Sequence, residues 1–205
     1  MSTTLFVKAS DRSSRDSVSM KLYETFRACF TEIHPDEEVH DIDLYEQPLP
    51  YLGSQMIDGH STKVSGDFFP SRNKSEELSE FYLEQFINAD RVVFGFPLWN
   101  LTIPAILHTF MDQLHYPGKT FKYTEEGDVG LLTGKKIVLL NARGGVYAEN
   151  DPFEMAVSFM KTQFAFFGIT DIDTVVIEGH HEFPDRSETI IEEGLTKARH
   201  LASKC

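Results

Sequence analysis

Apolar residues in this chain follow two alternating rhythms. Leu5-Phe6-Val7, Val92-Val93-Phe94, Ile137-Val138-Leu139-Leu140 and Thr174-Val175-Val176-Ile177 are short continuous runs of the kind that form buried strands. Val39-His40-Asp41-Ile42-Asp43-Leu44 alternates, as a half-buried edge strand does. Between the runs, apolar positions recur at helical spacing. Val18, Leu22, Phe26, Cys29, Phe30 and Ile33 predict a helix over 17–33, and Leu78, Phe81, Tyr82 and Phe86 predict one over 75–88. Further helices are predicted over 103–115, 153–167 and 187–203; Ser187, early acids and late basic residues bound the last. Five apolar strands alternating with five helices define an α/β fold, a five-stranded parallel sheet with helices on both faces. Right-handed crossovers leave few topologies for it.

Two segments break the alternation. Residues 45–74 form a long connection rich in proline, glycine and polar residues, a length that marks a functional or mobile loop. Residues 118–134 hold an alternating stretch, Thr120-Phe121-Lys122-Tyr123, turned by Glu126-Gly127, and read as a small hairpin excursion. No internal repeat, low-complexity tract or second domain is visible, so residues 1–205 are expected to form a single domain.

Composition narrows the function. Nineteen basic residues against thirty-two acidic ones leave a net charge of −13, a field that repels nucleic acid and anionic membrane surfaces. A small phosphorylated ligand remains compatible, because local backbone N–H groups can hold a phosphate. No stretch approaches the ~20 apolar residues of a membrane helix. The N-terminus lacks the basic and small-residue features of a signal peptide, and two cysteines make no disulfide framework; a cytoplasmic location is expected. His180 and His181 are adjacent with no third ligand at a suitable spacing, so no metal site is expected.

In an open α/β sheet, ligands bind beyond the C-terminal strand ends, where the strand order reverses. The loop after the first strand, residues 10–19, holds five serines and two arginines and runs into a helix. Hydroxyls and free N–H groups at a helix start make an anion site, although Ser14 or Ser17 could equally be a plain N-cap. The loop after the third strand, Pro97-Leu98-Trp99-Asn100, carries the only tryptophan of the chain on a turn. It offers an apolar wall and the N–H groups of residues 99 and 100. The loop after the fourth, Asn141-Ala142-Arg143-Gly144-Gly145, has paired glycines that let a backbone approach a ligand, with Arg143 adding charge or standing in solvent. A phosphate cup, a flat wall and a donor pair suit a molecule with a phosphate tail and a planar, electron-rich head, such as FMN.

The segments FPLWNLTIP, GKTFKYTEEGDVGLLTGKK, ARGGVYAE and FFGITDIDTVVIEGH together resemble the FMN-dependent NADH azoreductases, also described as FMN-dependent NADH:quinone oxidoreductases, over residues 3 to 200. The resemblance implies a flavodoxin-like fold and one non-covalent FMN per subunit. It implies phosphate contacts at Ser10, Ser17, Val18 and Ser19, and a flavin ring against Leu98, Trp99, Asn100 and Leu101. The pyrimidine edge of the ring would meet Ala142, Arg143, Gly144 and Gly145. Leu98 stands where the family usually has methionine and Ala142 where it usually has serine, and the 53–72 loop is shorter than in many relatives. The resemblance implies that hydride passes from NAD(P)H through the flavin to a quinone or azo compound in ping-pong fashion. In that mechanism no side chain would act as the catalyst, and the backbone of Asn100, Gly144 and Gly145 would support the ring. The resemblance further implies a homodimer in which Tyr123 and Phe166 form part of the acceptor pocket beside the partner's flavin. Phe166 is independently suspect, since Phe164 and Phe167 can pack inward together and leave it pointing elsewhere. A flavodoxin-type electron carrier is the alternative, and the hairpin at 118–134 argues against it.

Overall fold

The computed structural model describes residues 2–46, 48–54 and 74–205. In chain order these residues form β1 (Thr3–Lys8), α1 (Val18–Ile33), β2 (Glu38–Asp43), α2 (Lys74–Asn88), β3 (Arg91–Pro97), α3 (Ala105–Leu114), β4 (Phe121–Thr124), β5 (Gly127–Gly130), β6 (Lys136–Arg143), α4 (Val157–Phe166), β7 (Asp171–Glu178) and α5 (Ser187–Ala202). The five long strands make one parallel sheet in the order β2-β1-β3-β6-β7. β4 and β5 pair separately as the expected antiparallel hairpin. All five predicted strands and all five predicted helices are present, with the edge strand at one margin. The long connection falls mostly outside the described residues, and with it residues 55–72 of the loop that the resemblance makes short.

Both faces of the sheet are buried, which is why its strands read as unbroken apolar runs. Leu5, Val7, Ile137 and Leu139 enter the core shared with α2, α3 and α4. Phe6, Val138 and Leu140 enter the core shared with α1 and α5 on the other face, the period of two that a strand imposes. Gly95, in the middle of β3, is a packing device. A Cβ there would stand 2.4 Å from Tyr23 Cδ2 and 2.7 Å from Tyr23 Cβ, so α1 lies against the sheet only because position 95 has no side chain. α1 begins at the N-cap Ser17, whose hydroxyl accepts the Met20 N–H, which settles the choice between Ser14 and Ser17.

α4 starts at Val157, four residues later than its apolar pattern suggests. The cause is Glu154. Its carboxylate accepts the N–H groups of Ala156, Val157 and Ser158 at 3.2, 2.8 and 3.2 Å, satisfying the orphan donors of the first turn from outside the helix. At the opposite edge of the sheet, Lys135 donates to the carbonyl oxygens of Ile87 and Ala89 and closes the end of α2; burial pushes its ammonium down to about 8.

Candidate functional site

The strand order turns outward from β1 to β2 on one side and from β3 to β6 and β7 on the other, so the switch point lies between β1 and β3. Because all the pairings are parallel, the loops after β1, β3 and β6 emerge at one edge. Direct bonds tie them together. The Ala9 N–H donates to Gly95 O at 3.0 Å and the Leu98 N–H to Ala142 O at 3.0 Å. The Met155 N–H donates to Leu101 O at 2.9 Å.

The first loop has the character of an anion cup. Ser10 is fully buried, and Ser17 and Ser19 are nearly so, with their hydroxyls 3.0 Å apart. Ser17 O accepts the Lys21 N–H, the first bond of the helix, while the N–H groups of Val18 and Ser19 meet no acceptor among the described residues. Nearby Arg12 and Arg15 make no ion pair among the described residues. Free donors, buried hydroxyls and unspent positive charge converge at the positive end of a helix dipole.

The second loop is a strained turn. The Trp99 N–H donates to Thr102 O at 2.9 Å and the Thr102 N–H to Trp99 O at 3.1 Å, with Asn100 and Leu101 at φ 49° and 70° between them. This is a two-residue turn with both central residues left-handed, a geometry that asparagine tolerates and leucine resists at a cost of about 1–2 kcal/mol. Its reciprocal bonds and the Met155–Leu101 bond hold it in place. Of the two N–H groups expected to face a ligand, that of Trp99 is therefore spent inside the turn. The N–H of Asn100 meets no acceptor among the described residues, and Leu98 and Trp99 are half-buried beside it.

The third loop corrects the expectation for Arg143. Its guanidinium is neither solvated nor free. It lies 2.7 Å from Glu178 Oε2 and 3.2 Å from Glu154 Oε1, with its Cζ 5.1 Å from the centre of the Tyr147 ring, and only 11% of the side chain is exposed. Beyond it, Gly144 and Gly145 present N–H groups without an acceptor among the described residues. A Cβ on Gly144 would stand 2.8 Å from His181 Nδ1, so this glycine lets residues 144–145 and 179–182 lie together. Gly144 O accepts the N–H groups of both His181 and Glu182, at 3.1 and 3.2 Å. His180 beside them is buried, its Nδ1 without a partner; burial first and His181 second push its imidazole down from the usual range. No group of three or more metal-binding side chains occurs among the described residues.

Tyr123 and Phe166 lie apart from this edge. Tyr123 is 71% exposed on β4 and stands edge-on to Phe121 at 5.3 Å. Phe166, half-buried, packs on Phe121 at 4.7 Å and stacks on His115 at 5.7 Å. His115 is itself held by a bond between its Nε2 and the Gln163 side chain. Phe166 ends α4, which runs antiparallel to the strands. The helix separates it from Val157 by about 14 Å at 1.5 Å per residue, toward the edge away from the three loops. Glu154, Glu178 and Glu182 escaped the sequence reading, and His181 entered it only as a rejected metal ligand; only the β6–β7 register sets Glu178 opposite Arg143.

A doubly wound sheet with a phosphate-type cup, an apolar wall and exposed N–H donors at its switch point is that of a flavodoxin-class nucleotide-binding protein. Accordingly, the family described as flavodoxin-like fold matches residues 2–201, and the chain belongs to it. It is 53% identical to FMN-dependent NADH:quinone oxidoreductase 4 of Bacillus cereus and 51% identical to FMN-dependent NADH:quinone oxidoreductase 1 of Bacillus subtilis, covering 100% of both chains in each case. Among solved structures it is similar to an azoreductase from Bacillus anthracis, with a TM-score of 0.93 at 51% identity over 100% of both chains. An FMN-dependent NADH-azoreductase of that organism, solved in complex with FMN, matches with a TM-score of 0.85 at 27% identity over 98% of both chains.

Proposed function

We propose that this protein is an FMN-dependent oxidoreductase that takes hydride from NADH and reduces quinones and azo compounds by two electrons. The observation that carries the reading is the set of N–H donors at Val18, Ser19, Asn100, Gly144 and Gly145 that meet no acceptor among the described residues, on three loops bonded to one another. FMN, when bound, supplies the hydride chemistry. Ser10, Ser17, Val18 and Ser19 hold its phosphate, and Leu98, Trp99 and Leu101 bound its ring. The Asn100 N–H fixes the ring edge next to the reacting position. Ala142 contributes backbone where the relatives' pattern has a hydroxyl, and the Gly144 and Gly145 N–H groups face the oxygen and nitrogen where negative charge gathers. Arg143 shapes this edge by holding the loop rather than by touching the cofactor. The purified protein is expected to take up about one FMN per chain and to oxidise NADH with menadione, giving parallel double-reciprocal lines, because one pocket admits donor and acceptor in turn. A protein that binds no FMN on titration overturns the reading. One that binds FMN yet passes electrons only singly to protein partners would be the flavodoxin-type carrier instead.

The finer parts of this reading are a homodimer, a single-domain chain and a cytoplasmic location close to the NADH supply. Among the described residues no helix is long and apolar enough to cross a membrane. The dimer is supported by the Phe166–Phe121–Tyr123 cluster, in which Tyr123 is 71% exposed and Phe166 half-buried, an aromatic surface that a second copy would cover. Phe166→Ala should keep FMN and the native mass while raising the KM for large acceptors several-fold at an unchanged KM for NADH. A wild-type protein that sediments as a fully active monomer rules the shared pocket out.

A further inference from the structure

We infer that Glu182 sets the reducing power of the bound flavin, keeping it a stronger hydride donor than the N–H groups of its loop alone would allow. The inference rests on the proposed placement of the flavin pyrimidine ring at Gly144 and Gly145. Reduction of FMN by two electrons and one proton leaves one negative charge over that ring, so fixed charges near it shift the equilibrium between the oxidised and reduced forms. Arg143 is the cation that the sequence brings to this loop, but Glu154 and Glu178 already pair with it. Glu182 is the third carboxylate here and pairs with no cation among the described residues. Its Oε2 accepts the Val146 N–H at 2.8 Å and stands 3.7 Å from where a Cβ on Gly145 would lie. The loop end therefore holds three carboxylates against one guanidinium, beside His180 and His181.

Two opposing effects meet at the Gly144–Gly145 peptide. Its carbonyl accepts two N–H groups, from His181 and Glu182, which polarises the unit and makes the Gly145 N–H a better donor to an anion. The Glu182 carboxylate, bound to the neighbouring Val146 N–H, disfavours the same anion. The residue thus anchors the loop through its backbone and lowers the flavin potential through its side chain. An exposed carboxylate acts here through space, so salt should weaken its effect.

The test is Glu182→Gln in the FMN-loaded protein. The amide oxygen can still accept the Val146 N–H, while the charge is removed. The readout is the two-electron midpoint potential of the bound FMN, measured spectroelectrochemically at low and high salt. Glu32→Gln, at the far end of α1, is the control for net charge. The expected result for Glu182→Gln is about a tenfold gain in the preference for reduced over oxidised FMN, or about 30 mV upward for a two-electron couple. The gain should shrink at high salt, and Glu32→Gln should leave the potential unchanged. Glu182→Ala, which also gives up the Val146 bond, should move the potential in the same direction. A potential that stays in place or falls in Glu182→Gln while FMN remains bound overturns the inference and leaves the flavin reading intact. Failure of the wild-type chain to bind FMN defeats the reading itself.

Discussion

Gly95→Ala is expected to destabilise the protein by about 3 kcal/mol, the upper range for forcing a methyl group into a filled core. In a chain of this length that corresponds to a Tm about 6–12 °C lower. The added Cβ would stand 2.4 to 2.7 Å from three carbons of Tyr23. Tyr23 cannot swing aside, because its ring lies edge-on to Phe6 at 6.0 Å in a fully packed face. The strain must move α1 outward, and α1 carries at its start the Ser17–Ser19 end of the proposed phosphate cup. The loss should therefore appear twice, as a lower Tm of the FMN-free protein and as weaker FMN binding by titration. Tyr23→Ala in the Gly95→Ala background should recover part of the loss, a non-additivity expected of residues in contact. An unchanged Tm in Gly95→Ala would mean that α1 is not seated as described.

The elements were legible because each is dictated locally. Period-two runs buried on both faces and helical stripes such as Val18 to Ile33 carry their own signal, and the parallel α/β order follows from their alternation. The three loops at the C-terminal end of the sheet were legible for the same reason, since Ser, Pro-Leu-Trp-Asn and Gly-Gly each stand directly after a strand. The outcome for Trp99 was only half visible. Its place on the turn is in the sequence. The reciprocal Trp99–Thr102 bonds and the left-handed Leu101 are not, because leucine is a poor indicator of that backbone and one of the bonds that hold it comes from Met155 in a distant loop. Gly95, inside an otherwise apolar run, was a readable sign of close approach, but nothing local names Tyr23 as the neighbour. Arg143 was misjudged as a free charge because its partners stand 11 and 35 residues away, and only the β6–β7 register brings Glu178 to it.

That misjudged arginine gives the second large effect. Arg143→Met is expected to cost about 3 kcal/mol, the lower end for breaking a buried ion pair from one side, since Glu178 is a third exposed and partly screened. Glu154, only 12% exposed, is left facing the end of a strand with no cation, while still tied to the first turn of α4. Two elements therefore loosen together, the Gly144–Gly145 loop and the start of α4 that bonds to Leu101 through Met155. Arg143→Lys should recover less than half of the loss, because a compact ammonium lacks the planar fork whose separate nitrogens reach Glu154 and Glu178. Urea titration of the FMN-free protein separates the two roles open to this residue. A clamp lowers the midpoint of the apo protein and weakens FMN only as a consequence. A direct contact of the side chain to the flavin would weaken FMN while leaving the apo midpoint unmoved, and that second pattern would make the guanidinium itself a cofactor ligand.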